Sequence, residues 1–359
     1  MKIDNNKIFY TYLLLYLSLL VGLFFNEDFA QGTIRDYLFH KDKADVLNKD
    51  IFGVILNYDD LKLPHSPIYL LYFLFINNIF GEILARLVNF HFILLIPLFT
   101  FLSLNLKFDL KKNNLIALLP ALFFISPYFR AGSLWIDDNV LSIVFLTVSI
   151  FFFLKYENSK DKNLSYIFLN TLFLALAAYF RPIHFIFGFY FFFNYFFQLK
   201  LSKKFYLYLL FNICLSLPAF YYTIILEING WFRPWLFRTN NTTTLSLSIS
   251  LILFYSLPFI FCNLNQLKKV IYDKFIIFSS IIYLSLVIIN FNYELPYSGG
   301  VIYKFSETIF SNNYFFYIFS TFGFYFIFLI FKKISQKKDL LSDSVLIILL
   351  ILLEIDGVV

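Results

Sequence analysis

Apolar runs close to 20 residues long recur from one end of this chain to the other, and that feature leaves few folds open. A helix of about 20 residues crosses the roughly 30 Å hydrocarbon layer of a membrane. Inside that layer every backbone N–H and C=O must find a partner within the protein, which leaves helices or closed barrels. The runs are continuous rather than alternating, so the expectation is an all-α polytopic membrane protein. Composition agrees: 60% of the 359 residues are hydrophobic, 14% are charged, and mean hydropathy is +0.74. A soluble domain carries about 25% charged residues. A cytosolic enzyme, a disordered chain and a secreted disulfide scaffold are therefore excluded. The 53 Phe and 26 Tyr fit an AT-rich genome and say little about function. Cys214 and Cys262 each lie in an apolar run and read as packing residues rather than a disulfide or metal pair.

The spacing predicts ten spans, near 8–25, 84–106, 115–134, 140–155, 165–180, 183–199, 205–226, 246–264, 275–291 and 314–331. An eleventh begins near 344 and ends at Val359 without a closing basic loop, as a truncated span would. The run from Ile8 to Phe25 lacks a small-residue cleavage site and reads as a first transmembrane helix, not a signal peptide. With the N-terminus cytoplasmic, 18 of the 29 Lys and Arg fall in cytoplasmic segments, against 7 of the 23 Asp and Glu. Those segments hold Lys2, Lys7, Lys107, Lys111, Lys112, Lys155, Lys160, Lys162 and the later lysine clusters. This is a positive-inside pattern. The net charge of +6 thus belongs to loops beside anionic lipid and is not a nucleic-acid footprint.

The unusual residues gather on the other side. The first outer loop, 26–66, is long and acidic, with Glu27, Asp28 and Asp36 near its start and His65 near its end. The following stretch, 67–81, is apolar but short for a span, and reads as a juxtamembrane helix lying in the interface. Asp137 and Asp138 stand at a tight second turn, Arg181 and His184 at a third, and Trp231, Arg233, Trp235 and Arg238 at a fourth. Ionisable groups at membrane depth are costly unless partnered and are candidates for function. Plainer readings stand beside each. Asp28 and Asp36 read equally as solvated loop acids, Asp137 and Asp138 as helix caps. Arg181 reads as a snorkelling side chain, His65 as a turn residue, His184 as a core residue, and the two tryptophans as interfacial anchors. There is no Walker loop, dinucleotide fingerprint, zinc-spaced Cys/His set or nucleophile elbow, and the cytoplasmic loops are too short for a nucleotide-binding domain.

The order of these features resembles the GT-C superfamily of polytopic glycosyltransferases. That superfamily includes protein O-mannosyltransferase-like enzymes and bacterial enzymes that modify lipopolysaccharide from polyprenyl-phosphate sugars. The carrying residues are Glu27, Asp28 and Asp36; His65-Ser66-Pro67-Ile68-Tyr69; Phe80-Gly81-Glu82 with Arg86-Leu87; Ser126-Pro127-Tyr128; Trp135 to Asn139; and Arg181-Pro182. The resemblance covers about residues 8–200, so 1–200 reads as a catalytic membrane core and 201–359 as further membrane helices matched by topology alone. The loop reads Asn26-Glu27-Asp28 where relatives carry Asp-Glu and a distant Tyr, which leaves Asp28 and Asp36 competing for one role.

The resemblance implies an inverting transfer of sugar from a polyprenyl phosphate to a glycan, lipid or protein acceptor. It places the reaction on the periplasmic face of a bacterial inner membrane. Asp36 or Asp28 would be the base, with Asp138 orienting the acceptor or assisting. Glu27, His65, Asp137, Arg181, Arg233 and Arg238 would bind substrate, Arg181 gripping the lipid phosphate. Asp137 or Asp138 could also bind a divalent cation, no organic cofactor is expected, and no nucleic acid is a partner. The rival readings are a polysaccharide polymerase or ligase of the O-antigen type, and a lipid-linked glycan flippase or transporter. The former usually carries its main outer loop late in the chain, the latter internal repeats.

Overall fold

The computed structural model describes residues 5–28, 32–63, 65–108, 114–227, 241–262, 273–293 and 300–335. Every regular element among them is helical. They fall into two compact units, Met1–Arg233 and Pro234–Val359.

In the first unit, α1 (Asn5–Phe24) leads into a loop built from α2 (Thr33–Lys49), α3 (Ile51–Leu56) and a 3-10 turn (Tyr58–Leu61). Then come α4 (Pro67–Ile93) and α5 (Leu95–Lys107). A 3-10 segment (Asn114–Ala121) precedes α6 (Leu122–Ile125) and α7 (Pro127–Leu134). The helices α8 (Asp138–Asn158) and α9 (Leu164–Phe180) form a hairpin, and a 3-10 turn (Pro182–Ile186) joins it to α10 (Phe187–Leu199) and α11 (Lys203–Phe220). The second unit contains α12 (Asn241–Cys262), α13 (Lys274–Asn290), α14 (Val301–Phe310) and α15 (Tyr314–Ser335).

Four helical stretches are long and apolar enough to cross a membrane: Asn6–Phe24, Pro67–Lys107, Asp138–Asn158 and Lys203–Ile225. A fifth arises if the bent pair Ala117–Ile125 and Pro127–Leu134 counts as one span. Shorter apolar helices, among them Leu164–Phe180 and Lys274–Asn290, accompany them. Many large apolar side chains point outward, including Leu14, Ile83, Phe220 and Ile289. Water would not tolerate so much contiguous apolar surface, whereas lipid requires it.

Two local breaks shape the first unit. Gly81, at φ 71° and ψ 164°, interrupts α4. That backbone region is open essentially to glycine alone. The break falls where the sequence separates a short helix, 67–81, from a longer apolar run. The second break divides the stretch 115–134, read from sequence as one span. Pro127 offers no N–H and disfavours a helical residue before it. Ser126 is accordingly extended, its Oγ accepts from Phe129 N at 3.4 Å, and the two pieces meet at 70°. The stretch 183–199 likewise begins as a 3-10 turn, with α10 starting only at Phe187. The predicted eleventh span, 344–359, lies outside the described residues.

Apolar packing in the first unit centres on Tyr37, Tyr58, Tyr69, Phe73, Phe90 and Trp135, with Val140 and Leu141 of α8. Polar groups buried in the hairpin satisfy one another. Asn170 donates to Ser149 O at 2.9 Å, Ser149 Oγ donates to Asn170 O at 2.9 Å, and Tyr195 OH donates to Asn170 Oδ1 at 3.0 Å. Such cross-helix bonds fasten helices where apolar contact with lipid and with protein are nearly equivalent. In the second unit Tyr283 stacks on Phe324 and shares a hydrogen bond with Ser320 Oγ at 2.8 Å. Ser320 in turn donates to Ser246 O at 3.0 Å.

Candidate functional site

The site lies wholly in the first unit and starts from the N-terminus of α8. Asp137 caps that helix, its Oδ1 accepting from Val140 N at 3.0 Å and from Tyr128 OH at 3.2 Å. Asp138, the first helical residue, is buried and pairs with Arg181: Nε to Oδ2 is 2.9 Å. Arg181 is the C-cap of α9. A carboxylate at a helix N-terminus and a guanidinium at a helix C-terminus each complement the helix dipole, so the hairpin itself favours this pair.

The turn that presents Asp137 and Asp138 is strained. Ile136 has φ 55°, a left-handed backbone rarely adopted by a β-branched residue. Its carbonyl accepts from Tyr69 OH at 2.7 Å, which holds α4 against the turn. Arg86 of α4 reinforces the same place. Its guanidinium lies 3.6 Å from the centre of the Trp135 ring, and it donates to Leu134 O and to Asn26 Oδ1, each at 2.9 Å.

The three acids of the first outer loop have different environments. Glu27 is buried and forms a two-point ion pair with Arg130, at 2.5 and 2.6 Å, while its carbonyl accepts from Trp135 Nε1 at 2.9 Å. Arg130 also donates to Ser18 and to Phe124 O. Glu27 therefore latches α1 to α7. Asp28 accepts from the backbone N–H groups of Gly32, Thr33 and Ile34 at 3.2 to 3.3 Å and orders the start of α2. Asp36, in the first turn of α2, has an exposed side chain and receives no hydrogen bond from a described residue. Partial desolvation by the surrounding protein above all, then the charge of Asp138, raises its pKa above the ordinary 3.8, with Arg35 and Arg181 pulling the other way.

Two histidines complete the cluster. His40 follows Asp36 by one turn of α2, and His65 precedes Tyr69 of α4. The rings of His40, His65 and Tyr69 pack edge to face with centroids 4.5 to 5.0 Å apart. Burial keeps both imidazoles uncharged at neutral pH, pushing His65 down to about 3 and lowering His40. Both also feel the charges of Asp138 and Arg181. Ser66 Oγ donates to Tyr179 O and ties this turn to the end of α9.

Of the residues singled out from sequence, Asp36, His65, Asp137, Asp138 and Arg181 thus come together. Glu27 and Asp28 lie in the same unit with their carboxylates already engaged. Arg233 and Arg238, with Trp231 and Trp235, lie outside the described residues. His184 is buried, with Nε2 2.8 Å from Ser142 Oγ. Among the described residues no group of three His, Cys, Asp or Glu side chains is arranged to hold a metal ion. Sequence reasoning took His40 only as the i, i+4 neighbour of Asp36 and Tyr128 only as part of a motif, and it missed Arg130. Arg130 did carry a signal, being a charge inside an apolar stretch. Tyr128 stood only within the Ser126-Pro127-Tyr128 stretch, which gave no sign of its hydrogen bond to Asp137.

Comparison with protein-family models, with curated proteins and with solved structures finds no match to this chain.

Proposed function

We propose that this chain is an integral membrane glycosyltransferase that moves a sugar from a polyprenyl-phosphate-linked donor to a glycan, lipid or protein acceptor. The reading includes ten or eleven spans, a cytoplasmic N-terminus and a reaction on the extracytoplasmic face of a bacterial plasma membrane. One observation carries it: Asp36, a carboxylate with no partner among the described residues, feels the charges of a buried Asp138–Arg181 ion pair. Transfer of this kind needs a base on one side of the anomeric carbon and a cation for the leaving phosphate on the other.

On this reading the acceptor hydroxyl oxygen forms a bond to the anomeric carbon as the bond from that carbon to the phosphate oxygen breaks. The hydroxyl proton passes to Asp36, and polyprenyl phosphate leaves with its electron pair. Arg181 takes the phosphate as an alternative partner to Asp138, because a guanidinium stays charged and offers a two-point grip. Asp138, relieved of that partner, is then available to orient the acceptor. Asp36 suits the base because its environment raises its affinity for a proton above that of an ordinary aspartate.

Deletion of the gene, with mass spectrometry of lipid-linked glycans and envelope polysaccharides, tests the assignment. Loss of one sugar, restored by the intact gene, is the expected result. Loss of chain length alone identifies a polymerase, and accumulation of a complete lipid-linked precursor identifies a flippase. Either outcome overturns transfer.

A further inference from the structure

The ion pair and Asp36 account for the charged chemistry of the cluster, but not for its two histidines. His65 is fully buried and His40 is about nine-tenths buried, yet His65 Nε2 and His40 Nδ1 have no hydrogen-bond partner among the described residues. A buried polar nitrogen left unpaired destabilises a fold, and two in one ring cluster call for an explanation.

The tautomers open to His65 follow from its neighbours. Nδ1 lies 3.4 Å from the carbonyl of Ser66 and 3.3 Å from Tyr58 Oη. A proton on Nδ1 would serve the Ser66 carbonyl and leave a lone pair on Nε2, whereas donation from Tyr58 Oη to Nδ1 would leave the proton on Nε2. In either form Nε2 asks for a hydrogen-bonding group, and a hydroxyl, which both donates and accepts, meets either. The His40 ring, with its centroid 5.0 Å away, brings a second unpaired nitrogen to the same cluster. Tyr69 packs against both rings and cannot supply the missing partner, because its hydroxyl is committed to Ile136 O.

We infer that His40 and His65 together form an uncharged subsite that hydrogen-bonds a hydroxyl-bearing ring, the sugar of the ligand, beside the Asp138–Arg181 pair. This rests on the glycosyltransferase reading and assigns the sugar-recognising groups within it. The division of labour is chemical. Arg181 suits an anion and is indifferent to the sugar. The two imidazoles, uncharged, suit hydroxyl groups and add no net positive charge for a phosphate. Both are positioning residues for the transfer: they hold the sugar and take no part in making or breaking a bond.

The full-length protein in lipid nanodiscs tests the subsite with three probes: a panel of polyprenyl-phosphate hexoses and pentoses, polyprenyl phosphate without sugar, and octyl glucoside. His40→Phe and His65→Phe keep ring volume and remove the nitrogens. Each should weaken the best sugar-bearing lipid roughly tenfold and leave the sugar-free lipid unchanged. His65→Gln, whose amide oxygen accepts a hydrogen bond, should recover part of the loss and reports on folding. Equal loss for both lipids, or no loss, overturns the subsite. A wild-type protein that binds octyl glucoside through the two histidines but no lipid-linked sugar keeps the subsite and overturns the polyprenyl donor. One that binds none of the sugar probes overturns both.

Discussion

At the scale of single residues, the decisive question for each acid is whether its charge is already used. Asp28 accepts three backbone N–H groups, whereas Asp36 accepts none from a described residue. Asp36→Asn should therefore abolish transfer, and Asp28→Asn should lower it mainly by loosening the start of α2. Full activity in Asp36→Asn would sink the assignment of the base. The pH profile has a definite sign. Asp36 acts only when ionised and its folded pKa is raised, so activity falls as pH drops through a value above 3.8. Stability runs the other way. The fold prefers the protonated carboxyl, so it loses stability as pH rises from 3.8 through the raised value. Asp36→Asn should thus melt no lower than wild type at neutral pH while inactive, which thermal melting in detergent checks. Arg130→Met makes the opposite prediction. It leaves Glu27 buried without its cation and should cost about 3–5 kcal/mol, part of which Glu27→Gln in the same chain restores. A melting temperature unchanged in Arg130→Met would contradict the latch.

At the scale of elements, much was legible because helix periodicity and chain breakers act locally. The runs 140–155, 165–180 and 205–226 fall on α8, α9 and α11, since hydropathy alone marks them. The separation of a short helix from a longer run in α4 was read from the length of the apolar stretch and from the placement of charges. The structure adds the reason that the boundary residue must be glycine. Gly81 has open space where a Cβ would sit, so the obstacle is its backbone geometry alone. Gly81→Ala should cost of order 1–3 kcal/mol by melting, with no change in helix content by circular dichroism. The break at Ser126–Pro127 was not read from sequence. The apolar run continues through the proline, so hydropathy outweighed the breaker in a reading along one dimension.

At the scale of the whole molecule, topology is the open prediction. With Cys214 and Cys262 replaced, single cysteines at Asp45 and at Lys155 should differ in labelling by a membrane-impermeant maleimide added to intact cells. Asp45 should label and Lys155 should not. The reverse pattern would overturn the cytoplasmic N-terminus and the outer location of the acidic loop.

The amino-acid sequence by itself determined that the chain is helical and suited to lipid. Those properties are sums over neighbours along the chain: hydropathy, the absence of alternation and the thinness of charge. It also marked Asp36, His65, Asp137, Asp138 and Arg181 as residues worth explaining, since a polar group in an apolar chain stands out locally. Only the tertiary structure decided which of the acids is occupied. Glu27 is held by Arg130, 103 residues away, and Asp138 by Arg181 across the α8–α9 hairpin, while Asp36 has no such partner among the described residues. A pairing between distant residues leaves no periodic trace in a sequence. It arises from the packing of helix ends against one another, and it separates a carboxylate that holds the fold from one available for chemistry.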